Sequence, residues 1–183
     1  ATGLSPVGLL AREGVLGPDF TAVHATWLDD EDLTLLSSSG STVCLCPTTE
    51  CDLGDGVPRT AELFEAGVPL CVGSDSHAVI DPFAELRMVE YQARAATGRR
   101  CVLVDDEGAV APALIQIGHA QGYRALGLSG DGDRVTLRED ARALEGTSDV
   151  VAAALTAGHP GLIDRVEVAG ETLVAAGRHL HLG

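Results

Sequence analysis

The 183-residue chain is 45% hydrophobic and only 3% aromatic, enough apolar material for one sizeable core built mainly from Ala, Val and Leu. Its 27 acidic residues face 12 basic ones, all arginine, for a net charge of −15; such a field repels phosphate backbones and anionic lipid and excludes nucleic-acid and membrane-surface partners from the expectation. There is no apolar run of about 18 residues and no signal-peptide pattern in residues 1–10, so the sequence reads as a soluble cytoplasmic protein.

In chain order, Pro6 to Glu13 reads as a helix and Phe20 to His24 as a strand. Asp30 to Ser38 and Thr42 to Cys46 repeat that pair, as do Thr60 to Ala66 and Pro69 to Gly73. Gly14, Gly40 and Gly67 close the three helices from the C′ position, and Asp29 with Asp32 marks a helix start. The strands are short and nearly all apolar, as strands covered on both faces should be. Consecutive αβ units of this kind predict a parallel sheet.

Asp81-Pro82 opens a longer helix whose apolar face is Phe83, Leu86, Val89 and Ala93 and which ends near Gly98. An acidic connection, Asp105 to Glu107, precedes a helix from Ala111 to Gln121. Beyond it the pattern changes. Arg134 to Arg138, Ile163 to Val168, Glu171 to Val174 and Arg178 to Leu182 read as strands broken at Gly170 and Gly177, with a helix from Asp149 to Ala157 among them. The division predicted is residues 1–130 as the parallel α/β part and 131–183 as a small antiparallel β-sandwich unit. The five cysteines, with Cys44, Cys71 and Cys101 inside apolar runs, read as small buried hydrophobes, and Cys44, Cys46 and Cys51 lack the second pair a zinc cluster needs.

Polar residues gather at the strand ends. The first strand ends in Val23-His24-Ala25-Thr26-Trp27, the second in Cys46-Pro47-Thr48-Thr49-Glu50, the third in Val72-Gly73-Ser74-Asp75-Ser76-His77. Chemistry at the C-terminal ends of successive strands fits a (β/α)₈ barrel, though an open doubly wound sheet places ligands similarly. A whole barrel takes about 250 residues, so the units here make only the C-terminal portion of one. Alone, Asp75 reads equally as a turn-forming residue or as a metal ligand and acid–base group, and a lone His24 is more often structural. Two such ends in adjacent units can converge on one mouth, which favours function.

With these motifs in place the chain resembles the amidohydrolase superfamily, and within it the formimidoylglutamate-deiminating branch. His24 matches that family's strand-six histidine and Asp75 its strand-eight aspartate. The segment Cys46 to Gly56 resembles the strand-seven loop of that branch, where nucleobase and triazine deaminases usually carry Asn in place of Glu50. Asp81-Pro82-Phe83-Ala84-Glu85-Leu86-Arg87 and Glu90-Tyr91 follow the same pattern. The family's His-x-His pair and strand-five histidine have no counterpart here, and His119, His159, His179 and His181 do not replace them.

The resemblance implies one zinc per complete site, held by Asp75 and by histidines outside this chain. Asp75 would move a proton from water to the departing nitrogen, and His24 would steady the developing oxyanion. The implied reaction converts N-formimidoyl-L-glutamate and water to N-formyl-L-glutamate and ammonia, in histidine degradation. Glu50, His77, Arg59 and Arg87 are candidate substrate contacts, the arginines because the substrate is a dicarboxylate. A nucleobase or triazine substrate is the alternative, as is a non-catalytic fragment or half of a split enzyme. The expected partners are a small-molecule substrate and either further copies of the chain or the missing barrel half.

Overall fold

The structure is a computed structural model that describes residues 2–138 and 140–182. Helix α1 (Pro6–Arg12) leads to β1 (Thr21–Val23), α2 (Asp30–Ser39) to β2 (Thr42–Leu45), and α4 (Thr60–Glu65) to β3 (Leu70–Val72). The three strands pair in parallel in the order β1-β2-β3, with Thr21 opposite Thr42 and Val43 opposite Leu70. The starts of α1 and α2 each carry a fixing group. Ser5 accepts the Gly8 N–H at the head of α1, and at α2 Asp29 and Asp32 form a reciprocal capping box. Gly40, at φ 70°, ends α2 in the left-handed conformation that releases the chain into β2.

One face of this sheet packs on the helices. Val43, Leu45 and Leu70 meet Leu36 of α2, Leu63 of α4 and Val89 of α5 (Pro82–Thr97) in one buried cluster. On the other face Thr21, Val23, Cys44, Cys71 and Gly73 line a recess of about 690 Å³, closed on its far side by α7 (Ala120–Leu126). Both outer strands, β1 and β3, leave one edge without a strand neighbour among the described residues.

Several elements differ from the sequence reading. Pro47 to Leu53, expected as a loop, forms a helix, α3, with proline in its first turn and Gly54 at φ 70° ending it. The helix expected over 111–121 runs as α6 (Val110–Gly118) and α7, broken at His119, whose ψ of −79° departs from helical geometry. Gly118 sits at that break because a Cβ there would lie 2.8 Å from Leu86 Cδ1. Cys101 is exposed rather than buried, in a left-handed turn at φ 56°.

The tail makes a single four-stranded antiparallel sheet among the described residues, in the order β4 (Arg134–Leu137), β5 (Ile163–Val168), β6 (Glu171–Ala175), β7 (Arg178–His179), with α8 (Val150–Ala157) packed against α5. Its last strand is shorter than the expected run to Leu182, because the His179 ring turns back to accept the N–H groups of His181 and Leu182. No helix among the described residues is long and apolar enough to cross a membrane.

Glu90 shows how the acidic composition serves the fold. It is 1% exposed, and its two oxygens accept the N–H groups of Val102 and Leu103 at 3.0 and 2.9 Å while Arg94 donates at 2.7 Å. The segment after α5 therefore ends on a carboxylate rather than on a strand. Replacing Glu90 by Ala leaves two buried N–H groups unpaired, each costing about 1–3 kcal/mol, so urea unfolding should show a loss of roughly 3 kcal/mol or more. Arg99→Ala, which removes an exposed pair with Glu65 (2.7 Å), should cost less than about 1 kcal/mol in the same experiment.

Candidate functional site

The C-terminal ends of β1, β2 and β3 meet at one edge of the sheet, and three side chains converge there. His24 follows β1, its N–H extending the ladder to the Cys44 carbonyl at 2.8 Å. Both His24 and Ala25 then adopt left-handed backbone, φ 67° and 50°, and Asp75 beyond β3 does the same at φ 49°. That region costs a non-glycine residue roughly 1–2 kcal/mol, and such residues cluster at functional sites. The left-handed turns bring the two side chains together, with His24 Nε2 3.6 Å from Asp75 Oδ2.

Behind the histidine lies Glu50, on α3. It is fully buried, and its Oε1 stands 3.3 Å from His24 Nδ1 and accepts the Cys46 N–H at 2.8 Å. Its Oε2 is buried with no hydrogen-bond partner. Burial pushes the Glu50 carboxyl above its ordinary value, the nearby Glu85 adds to the effect, and the bonds from Cys46 and His24 oppose it.

Helix α3 organises the rest of the edge. The Thr49 hydroxyl donates to the Ser74 carbonyl at 2.8 Å and so holds the loop that carries Asp75. Thr48 donates through its N–H to Glu85 Oε2 at 3.2 Å and through its hydroxyl to Oε1, binding α3 to the start of α5. Thr48, Thr49 and Glu85 did not stand out as functional in the sequence. The signal that could have found them is the helix itself, through Pro47 at its first position and Gly54 after its end.

The other candidates have separate contacts. His77 uses Nδ1 in its own turn, accepting the Val79 N–H at 3.1 Å. Arg59 pairs with Asp30 at 2.8 Å and Glu62 at 3.2 Å. Arg87 donates to the carbonyls of Leu155, Thr156 and Gly158 at 3.2–3.3 Å, capping the C-terminus of α8. None of the three forms a hydrogen bond or ion pair with His24 or Asp75 among the described residues. The exposed side chains around the mouth include three large apolar ones, Trp27, 85% exposed beside Gly56, and Val79 and Ile80 in the loop after β3, next to the polar Asp55, Asp75 and Ser76.

An imidazole nitrogen and a carboxylate oxygen are donors that zinc accepts, but no group of three or more His, Cys, Asp or Glu among the described residues is placed to hold a metal. Two donors are too few for a tight site. The 183-residue chain dialysed against zinc and then chelator should therefore retain far less than one equivalent, with little rise in melting temperature; stoichiometric, chelator-resistant zinc would contradict the donor count. Glu50 gives a second expectation. Because its folded-state value is raised, the fold favours the protonated carboxyl; that stabilisation is full below the usual carboxylate range and lost as pH rises through the raised value. Glu50→Gln should thus be more stable than the parent at neutral pH, with the difference closing near about pH 4 in urea titrations. A difference independent of pH would contradict this.

The chain is similar to known proteins along nearly all of its length. The family described as "Amidohydrolase family" matches residues 3–142. The formimidoylglutamate deiminase of Pseudomonas aeruginosa is 31% identical over 97% of this chain and 42% of its own length. The 5-methylthioadenosine/S-adenosylhomocysteine deaminase of Pyrococcus furiosus is 29% identical over 69% of this chain and 29% of its own. Among solved structures, an amidohydrolase from Brucella melitensis superposes with a TM-score of 0.85 at 31% identity, over 98% of this chain and 41% of that one. An adenosine deaminase from Xanthomonas campestris with bound zinc, 23% identical, shares the fold with a TM-score of 0.90 over 100% of this chain and 43% of its own. The chain thus spans less than half the length of these relatives. By the extent of the family match and the relative aligned along nearly all of it, the chain belongs to the amidohydrolase family.

Proposed function

We propose that the chain supplies one side of the active site of a zinc-dependent deaminase, with N-formimidoyl-L-glutamate as substrate and N-formyl-L-glutamate and ammonia as products. In this reading β1, β2 and β3 are the last three strands of a (β/α)₈ barrel, their open edges are where the remaining strands pair, and residues from about 131 onward form a separate small β unit. The observation that carries the proposal is the His24–Asp75 pair, 3.6 Å apart at the C-terminal strand edge and open to the mouth. The choice of substrate rests on the Pseudomonas deiminase, which aligns with 97% of this chain where the Pyrococcus nucleoside-type deaminase aligns with 69%.

Zinc, when bound, lowers the pKa of water to about 7 and makes hydroxide available at neutral pH. Asp75, the residue of this chain that would hold the metal, would take a proton from the attacking water on a carboxylate oxygen and return it to the nitrogen that leaves as ammonia. His24 Nε2, facing the same point, accepts the second proton of the attacking water and, once protonated, donates to the oxygen that becomes the product carbonyl. Glu50 and Cys46 hold the imidazole from behind, and Thr49 holds the Asp75 loop. His77, whose Nδ1 is engaged in its own turn, contacts substrate through Nε2. The substrate's carboxylates require cations, and Arg59 and Arg87 are already paired, so those cations belong to the part of the site outside this chain.

One observation favours a second reading, deamination of an uncharged purine nucleoside. The exposed rim offers Trp27, Val79 and Ile80, surfaces suited to a flat, apolar base rather than to a dicarboxylate. Ammonia release measured on N-formimidoyl-L-glutamate, 5′-deoxyadenosine and guanine separates the readings. The first is expected to give the highest kcat/KM, and preference for either of the others would replace it. In an active preparation Asp75→Asn should lower kcat by at least about 10³-fold and His24→Ala by roughly 10²–10⁴-fold, the range for a single acid–base or oxyanion-stabilising group. Turnover near the parental rate in either variant would remove that residue from the mechanism.

A further inference from the structure

We infer that Glu50 is a positioning residue that fixes which nitrogen of His24 carries the proton and where the ring points. This rests on the deaminase reading for its catalytic consequence, but not for its structural content.

The argument begins from Oε1. It accepts the Cys46 N–H at 2.8 Å, so it acts as an acceptor, and it lies 3.3 Å from His24 Nδ1. A hydrogen bond to that nitrogen requires the proton on Nδ1, which in the neutral imidazole leaves the lone pair on Nε2. Nε2 is the nitrogen turned to the mouth, 3.6 Å from Asp75 Oδ2, a separation too long for a direct hydrogen bond and suited to a third group donating to both. Glu50 thereby makes the exposed nitrogen an acceptor beside a carboxylate, so that both can receive protons from one water.

Two further observations separate this from simple helix capping. A cap for the Cys46 N–H needs one oxygen, and the comparable acid at the head of α2, Asp32, accepts the Asp29 N–H with one oxygen and the Ser5 hydroxyl with the other. Glu50, equally buried, leaves Oε2 without a partner among the described residues. Reaching across from α3 to β1 is what the longer, buried side chain adds. The second observation is that His24 sits in left-handed backbone at φ 67° with a side chain 31% exposed, so the ring is held neither by regular strand geometry nor by full burial. The proton on Oε2, which burial favours, would leave Oε1 an acceptor still, so the assignment holds in either protonation state of Glu50.

The test reads the ring directly. The purified protein, labelled with [¹⁵N]histidine, is examined by two-bond ¹⁵N–¹H correlation at a pH where His24 is neutral, its signal assigned by its loss in His24→Asn. The parent is expected to show the Nδ1–H form. Glu50→Gln, which keeps an oxygen for both N–H groups, should retain that form and most of the activity. Glu50→Leu removes the acceptor and should shift the ring to Nε2–H, lowering kcat about 10–100-fold with KM nearly unchanged, the usual scale for a group acting through another. Glu50→Asp, which keeps a carboxylate by the first turn of α3 but withdraws it from Nδ1, should do the same and serves where the leucine variant does not fold. An Nε2–H form in the parent, or an Nδ1–H form persisting in both the Leu and Asp variants, overturns the inference and leaves Glu50 a cap. Absence of deaminase activity in the parent defeats the functional reading instead, and the ring signals still decide this one.

Discussion

A buried carboxylate holding a backbone N–H that no helix or strand satisfies is the interaction on which this structure depends. Asp32 accepts the Asp29 N–H at 3.3 Å, Glu50 that of Cys46 at 2.8 Å, Glu85 that of Thr48 at 3.2 Å and Glu90 those of Val102 and Leu103. All four acids are 2% exposed or less. An unpaired buried N–H and an unpaired buried carboxylate are both expensive, and bringing them together removes both penalties at once. Two of the four, through the Ser5–Asp32 and Thr48–Glu85 bonds, tie one helix start to another element. A chain with 27 acids thus has a structural use for some of its excess.

At the mouth the same device becomes chemical. Glu50 ends its hydrogen bonds on a histidine rather than on backbone alone, and that histidine faces Asp75. The left-handed turns at His24, Ala25 and Asp75 are tolerable because α3 restrains both sides, through Glu50 toward β1 and through Thr49 toward the loop after β3. Rigid positioning of this kind is what lets two solvent-accessible side chains keep a defined separation.

Much of the frame was legible in the sequence because it is written locally. Short apolar runs bounded by Gly14, Gly40 and Gly67 locate β1 to β3, and the Asp29–Asp32 pair marks the start of α2. The convergence of His24 and Asp75 followed from strand-end placement alone. What stayed hidden is non-local. Pro47 to Leu53 is polar enough to pass for a loop, and its helix is secured by Glu85, 37 residues away from Thr48 in the chain. Likewise nothing near Arg87 announces that its guanidinium closes α8, about 70 residues on, since the three carbonyls it meets are brought there by packing of α8 on α5. The close approach of Leu86 to Gly118, next to the break at His119, which leaves no room for a Cβ there without a shift of the leucine, is likewise a contact between separate helices.

Trp27 is the chain's sole tryptophan, and it stands three residues past His24, 85% exposed, with its six-membered ring beside Gly56 in the segment that follows α3. Its indole is thus attached to the two loops whose relative position defines the opening. An indole in water emits at long wavelength and is readily quenched by solutes, and one covered by a ligand or by a neighbouring loop is not. The molecule therefore carries its own optical reporter, free of interference from other tryptophans in this chain, for whatever enters or closes over the strand ends.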